Sequence, residues 1–506
     1  MENSRVKNTK RNISWSFVDY TISALFQFVS RTIIVYFLGQ EYLGLSSLFS
    51  SILSVLNMTE LGFSSAIIYN LYKPIADHDT DTVCALLAFY KKIYRIVGLI
   101  ILVFGSIISP FLRMLIKSDV PLNINIYLLY YLYLTNTSIS YFVFAYKASL
   151  LNAVQRLDLT KIAYSIINIA QCGLQILVLV LFKNYYLFVV VTILGTALKN
   201  ILAAFFANKY YPEYISRGKI SQALKKDIWH RVKGLLVANI SGVTYTTFDS
   251  IILSAMIGLI PVALYNNYYV IYGAITGIIV LIRHAMQASV GNSVAIETVE
   301  KNYRDVFVWQ FAFSAIGVFC SCCLLCLYQP FMTMWMGEDA LLPFGSVILI
   351  SILCSVSTVQ HSFYLYLSAN GLWWELRWPY MLSTIANIAM NIVFCQIWGI
   401  TGIILATVVA QFVFGLIWQS KIIFKEYFKK PIGKYYLKQS LYFAVGVIDS
   451  CVAYILCDQL NTQGIVGLIL RLLICTFITV VCFLIFFGKT IEFQQSKKLV
   501  FQALKR

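Results

Sequence analysis

Residues 13–38 read ISWSFVDYTISALFQFVSRTIIVYFL, a mostly apolar run with one acid, Asp19, and one base, Arg31. At 1.5 Å per residue a helix of this length exceeds the hydrocarbon core of a bilayer, about 30 Å thick. The run is too long for a signal-peptide core and has no small-residue cleavage site, so it is expected to stay as a membrane helix. Asp19, Ser23, Gln27 and Arg31 recur every four residues and draw a polar stripe along one face. Lipid does not tolerate such a stripe, which is therefore expected to face an inter-lobe space.

The same composition runs through all 506 residues. Hydrophobic residues make up 59% and charged residues 12%, where about 25% charged is usual in soluble proteins; mean hydropathy is +0.76. Two to four soluble domains, the default for this length, could not be coated by so few charges, so most of the surface must meet lipid. Apolar runs of about 20 residues predict an all-α polytopic membrane protein with about 14 transmembrane helices. They include 43–70, 124–150, 234–258, 378–398 and 400–424.

Net charge is +17. With Arg5, Lys7, Lys10 and Arg11 on the cytoplasmic side, 33 of the 39 Lys and Arg fall inside; Arg113, Lys117 and Lys183 fall outside, and Arg31, Lys199 and Arg471 lie within spans. That asymmetry is a topology signal, with both termini cytoplasmic, and not a nucleic-acid-binding one. In the basic segment 208–233, Ile220, Leu224, Ile228 and Trp229 have helical spacing, which predicts an interfacial helix on anionic membrane lipids. Outer loops are short and leave no room for an outer catalytic domain.

An internal repeat supports the count. Arg31-Thr32-Ile33-Ile34-Val35, followed by Gly39 and Leu43-Gly44-Leu45, parallels Asp249-Ser250-Ile251-Ile252-Leu253, followed by Gly258 and Val262-Ala263-Leu264. Six helices separate the copies, so both run in the same direction, as in lobes related by an axis along the membrane normal. The expected organisation is two pseudo-symmetric six-helix lobes plus a C-terminal helix pair. By residue, these are an N-terminal lobe at 1–207, a basic linker at 208–233, a C-terminal lobe at 234–424, a hairpin at 425–487 and a tail at 488–506.

A charge inside a span costs about 2.5–3.5 kcal/mol on insertion scales and points to a functional or cavity-facing position. Arg31, with Gln27 on its stripe, could meet an anionic substrate group or pair with Glu60 of the second helix. Asn239, Gly242, Thr246 and Asp249 share a face of the seventh helix, and Asp249 takes the repeat position of Arg31. Asp249 could bind a coupling Na⁺ or H⁺, gate against Arg31, or be held by hydroxyls for packing; Asp19 is a second ion-coupling or gating candidate. Ser165, Asn168, Gln171 and Gln175 on the fifth helix, with Ser383, Asn387 and Asn391 on the eleventh, suit a sugar-lined or wet path. They would serve equally as interhelical bonds of about 0.6 kcal/mol each.

Other residues draw plainer readings. The fourth helix carries Tyr127, Tyr130, Tyr131, Tyr133, Tyr141 and Tyr146, the outermost of them expected in an interfacial belt. His361 and Glu60 are proton-carrier candidates by residue type, with packing the first reading for His361, and Arg471 reads as a phosphate anchor or a partner of Asp449. Cys320, Cys322, Cys323 and Cys326 sit in an apolar helix without a nearby His and read as small packing groups, not metal ligands. No Walker A loop, H-E-x-x-H or strand-borne G-x-S-x-G occurs, so neither an enzyme nor a resident cofactor is expected.

The segment 12–77 resembles the polysaccharide-export branch of the multidrug, oligosaccharidyl-lipid and polysaccharide exporter superfamily. The resemblance rests on Arg31 before Thr32-Ile33-Ile34, on Leu38-Gly39-Gln40-Glu41-Tyr42-Leu43-Gly44-Leu45, on Thr59-Glu60-Leu61-Gly62-Phe63-Ser64-Ser65-Ala66, and on Thr246-Thr247-Phe248-Asp249. It implies alternating access by two lobes that flip an undecaprenyl-diphosphate-linked oligosaccharide across the bacterial inner membrane, in contact with other polysaccharide-assembly proteins. The related lipid II flippases carry several cavity arginines, whereas Arg31 is the only base in the first two spans. An O-antigen or capsule unit is therefore expected in place of lipid II. The alternatives are a cation-coupled multidrug exporter of the same fold and a polysaccharide polymerase or ligase.

Overall fold

The computed structural model describes residues 2–57, 63–118, 120–222, 224–226, 228–229 and 247–504, and among these it is helical without strands. Lipid offers the backbone no hydrogen bonds, so each crossing must satisfy its own amides, which a helix does. The first helices are α1 (Glu2–Phe37), α2 (Gln40–Asn57), α3 (Phe63–Ala76), α4 (Thr80–Ile108), α5 (Ile126–Phe142), α6 (Ala145–Ala153), α7 (Leu157–Phe182) and α8 (Tyr185–Tyr210). Then follow α9 (Thr247–Met256), α10 (Leu259–Ile296), α11 (Val299–Met336), α12 (Phe344–Ala369), α13 (Arg377–Ala410), α14 (Gln419–Ile423), α15 (Gly433–Asp458), α16 (Gly464–Phe487) and α17 (Ile491–Leu504).

Ten helical runs among the described residues are long and apolar enough to cross a membrane. Of the remaining expected passages, 43–70 carries α2 and α3 on either side of residues outside the described set, and 124–150 breaks between α5 and α6 at Phe144, whose φ is 51°. Most of 234–258, with Asn239, Gly242 and Thr246, lies outside the described residues, as does Glu60. One run, Arg377–Phe428, holds 52 residues, about 78 Å if straight and more than twice the hydrocarbon thickness. It folds back at Gly399 (φ 58°, ψ −132°), and Asn387 Nδ2 reaches Thr407 Oγ1 at 3.2 Å. Spans 378–398 and 400–424 meet at that reversal.

The glycines matched in the expected repeat end their helices with the same backbone hydrogen bonds. Leu38 N–H donates to the Ile34 carbonyl (2.9 Å) and Gly39 N–H to the same oxygen (3.2 Å); Ile257 (2.8 Å) and Gly258 (3.0 Å) do likewise to Leu253. Both glycines take positive φ, 109° and 134°, the left-handed cap that ends a helix without a Cβ penalty. Counted back from these matched caps, Arg31 corresponds to Ser250 and Asp249 to Ser30. The expected Arg31–Asp249 equivalence is therefore off by one residue, about 100° of helix rotation.

The chain divides into two compact units, Met1–Ala263 and Leu264–Arg506. In the first, α1 packs on α7, α4 on α5, and α8 on α5 and α7, around a core that includes Leu48, Phe49, Tyr90 and Tyr130. The α9–α10 turn joins this unit: Ser254 Oγ donates to the Leu115 carbonyl (2.6 Å), Lys117 Nζ to the Met256 carbonyl (2.6 Å), and Leu259 sits on Gly44. Ile220, Leu224 and Ile228 pack against the same core while Lys219, Lys225 and Lys226 stay exposed. Three of the four apolar residues of the expected interfacial helix thus pack on protein, and the fourth, Trp229, is exposed. In the second unit α11 is the hub, packing against α12, α15, α16 and α17.

Candidate functional site

The two polar stripes read from the sequence meet inside the first unit. Lys161 Nζ lies 2.8 Å from Asp19 Oδ2, Ser165 Oγ donates to Asp19 Oδ1 at 3.4 Å, and Asn168 Nδ2 donates to Ser23 Oγ at 3.3 Å. The α1 stripe is therefore zipped to α7, and in this structure its described partners are in its own unit. Asp19, with both carboxylate oxygens engaged, is a clasp between two helices.

Past Asn168 the zip opens into a cavity of about 460 Å³, within the 300–1,000 Å³ range of small-molecule sites. Gln27 and Arg31 of α1, Ser46 and Asn57 of α2, Tyr133 and Asn136 of α5, and Gln171 and Gln175 of α7 line it. Tyr133 donates to Ser46 Oγ (2.9 Å) and shares a 2.8 Å hydroxyl contact with Tyr185, whose phenol neighbours the Arg31 guanidinium. Gln175 Nε2 donates to Thr192 Oγ1 at 2.9 Å, but the carbonyl oxygens of Gln171, Gln175 and Asn136 are buried without hydrogen-bond donors among the described residues. A lining of amide acceptors, hydroxyls and one planar guanidinium matches a ligand with many O–H donors and an anionic group. Gly195 permits this arrangement, since a Cβ there would fall against the Gln171 side chain.

The remaining candidates are placed elsewhere. Asn387, fully buried in the second unit, ties the two arms of the Gly399 reversal and accepts from Asn391 Nδ2 at 3.3 Å. Asp249 is fully buried in α9, in the first unit. His361 packs its ring near Phe313. Arg471 does not pair with Asp449: it donates to the carbonyls of Thr462 (3.1 Å) and Leu460 (3.3 Å), while Asp449 accepts from Thr479 Oγ1 (3.1 Å). Cys322 and Cys326 bury against Cys457 and Cys475 of α15 and α16, and the Sγ atoms of Cys322, Cys326 and Cys475 lie within 4.8 Å of one another.

The sequence reading passed over Tyr133, assigned only to an aromatic-rich helix, and Asn57 and Ser46, which carry no charge to draw attention. An apolar cavity of about 500 Å³ in the second unit was likewise unreadable; Val318, Ile348, Ile352, Phe412, Val447 and Tyr454 contribute to its walls.

Several solved structures share this fold. The lipid II flippase MurJ, in an inward closed conformation, superposes with a TM-score of 0.63 at 15% identity, over 95% of this chain and 100% of that one. An inward-facing multidrug resistance MATE family transporter of the MOP superfamily gives 0.64 at 13% identity, over 79% and 94%. A variant of the Vibrio cholerae MATE transporter VcmN gives 0.57 at 10%, over 85% and 100%. No curated protein matches the chain by sequence. The polysaccharide biosynthesis protein family profile, Polysacc_synt, matches residues 9–287, more than half of the chain, so the chain belongs to that family. The resemblance drawn from 12–77 holds, as does the all-helical multi-pass fold.

Proposed function

We propose that the protein is a flippase for an undecaprenyl-diphosphate-linked oligosaccharide used in O-antigen or capsule assembly. The observation that carries this is the Arg31 cavity, where one guanidinium lies among amide and hydroxyl groups suited to a sugar headgroup. A guanidinium pairs bidentately with phosphate oxygens, so Arg31 would hold the diphosphate while Gln27, Gln171 and Asn136 meet sugar hydroxyls. The apolar cavity between α11, α12 and α15 has the chemistry to take part of the hydrocarbon tail. The reading sets the protein in the bacterial inner membrane with both termini cytoplasmic, beside polysaccharide-assembly partners. Asp249, buried in a span, is then the carboxylate for a coupling Na⁺ or H⁺; Asp19 is already occupied by Lys161. Glu60 is its remaining acidic candidate.

Analysis of lipid-linked glycans in a deletion strain tests the reading. Repeat units should accumulate on the cytoplasmic leaflet and Arg31→Ala should not relieve the block although the protein inserts. Normal surface polysaccharide in the deletion strain would sink the proposal.

A further inference from the structure

Five of the twelve cysteines come together at one place in the second unit. Cys322 and Cys326 of α11 are four residues apart and share a helix face. Cys457 of α15 and Cys475 of α16 are buried against them, and Cys323 packs on the same group. The sequence shows only the α11 share of these thiols, because the others arrive from the C-terminal helix pair.

The geometry is that of a ligand set. The Sγ atoms of Cys322, Cys326 and Cys475 all lie within 4.8 Å of one another, and all three thiols are free and buried. A metal–thiolate bond of about 2.3 Å sets three sulfurs in a trigonal plane about 4.0 Å apart, and two opposed sulfurs about 4.6 Å apart. The trio thus already has nearly the spacing of ligands around one ion. Thiols that only filled space would be spread along the helix contacts, whereas here two helices bring three sulfurs to one point.

The donor set also selects the ion. No His nitrogen or carboxylate oxygen joins the three sulfurs among the described residues. Asp449, the neighbouring carboxylate on α15, is engaged by Thr479 Oγ1 at 3.1 Å. Zn²⁺ asks for four ligands, and the side chains packed around the thiols, Leu327, Ile474 and Ile478, have no fourth to give. Cu(I) is selected by soft thiolates and is satisfied by two or three of them.

We propose that Cys322, Cys326 and Cys475 form a Cu(I) site that fastens α16, and with it the C-terminal helix pair, to α11. Each thiol that binds gives up its proton to solvent, and the ion keeps its oxidation state.

The test uses the full-length protein in nanodiscs, reduced and kept anaerobic, with Cu(I) alone as the probe and bicinchoninate as the competing chelator. One Cu(I) per chain should be retained, with a sulfur-only shell by X-ray absorption, and loading should raise the thermal midpoint. Cys475→Ser should weaken retention about 100-fold or more, above the roughly 10- to 100-fold worth of a group outside the ligand set. Cys475→Met, which keeps a soft sulfur, should recover part of that loss. Cys451→Ser, which changes an exposed thiol on α15, should bind as wild type does. Cys322→Ser repeats the test from α11 if the α16 change prevents insertion. No retention by wild type, an oxygen or nitrogen shell, or wild-type binding by Cys475→Ser and Cys322→Ser overturns the site. Zn²⁺ held more tightly than Cu(I) overturns the choice of ion.

Discussion

Replacing Asp19 by Asn should destabilise the first unit more than any other change on the α1 stripe. Lys161 Nζ stands 2.8 Å from Asp19 Oδ2, with the two side chains 28% and 9% exposed. At that separation two unit charges attract by about 6 kcal/mol at an effective dielectric of 20, but desolvation cancels much of this. Breaking one side of a fully buried pair costs about 3–5 kcal/mol, and exposed pairs contribute about 0–1 kcal/mol. With one enclosed partner and one partly open, Asp19→Asn should cost about 2–3 kcal/mol, because Lys161 and the nearby Lys199 then lose their acid. Lys161→Met should cost about 1–2 kcal/mol, leaving Asp19 with Ser165 and the more distant Lys199. The double variant should lose less than the sum, with a coupling free energy of about 1–2 kcal/mol. Unfolding in mixed micelles titrated with SDS measures all three. If the single effects add within about 0.5 kcal/mol, the clasp carries no coupling and the argument fails.

Arg31→Lys should keep part of the binding of undecaprenyl diphosphate that Arg31→Ala loses, because the charge survives and the bidentate fork does not; equal loss in both variants would count against phosphate contact. Gly44→Val should lower the thermal midpoint, since a Cβ there meets the carbonyl carbon of Leu259 at 2.8 Å and its Cβ at 2.9 Å, overpacking of about 1–3 kcal/mol; a wild-type midpoint would show that the α9–α10 turn does not rest on α2. Burial opposes ionisation of Glu492, but the hydrogen bond and charge of Lys438 prevail and hold its carboxyl below the usual range. A depressed folded pKa gives stability that is present above the ordinary glutamate value of about 4.3 and lost as pH falls through the folded one. Hydrogen-exchange protection of α17, taken relative to the intrinsic rate at each pH, should therefore fall in acid, and Glu492→Gln should show that fall at neutral pH; protection unchanged by the substitution refutes the tie. Asn387→Leu should destabilise the second unit by about 1–3 kcal/mol by removing the amide that donates to Thr407 and accepts from Asn391, measured by the same SDS titration, and a neutral result would remove the amide from the Gly399 reversal.

Much of the architecture was legible because lipid makes strong demands on a sequence. Each crossing needs a long apolar run, and basic loops mark one side. The repeat was readable through Gly39 and Gly258, since a left-handed cap favours glycine wherever it falls. Its register was not, because apolar residues match at neighbouring offsets; only the hydrogen bonds to Ile34 and Leu253 set Asp249 against Ser30. The site was half legible. Helical spacing put Gln27 and Arg31 on one face, and Asn168, Gln171 and Gln175 on another, but spacing along a helix says nothing about which other helix faces it. Asn387 looked like the residues of α7 and turned out to bond Thr407, because polar stripes that line cavities and those that join helices use the same amides.

What the sequence determined by itself is the class: a multi-pass helical membrane protein whose charged span residues were too expensive to be idle. What only tertiary structure decided is how each expensive group is used. Lys161 and Ser165 occupy Asp19, while Arg31 and Lys199 line separate cavities about two helical turns apart along α8. The physical reason is that a buried charge is stabilised by whatever lies within a few ångströms of it in space. Those neighbours, α1 against α7 across more than 140 residues of chain, are brought together only by folding.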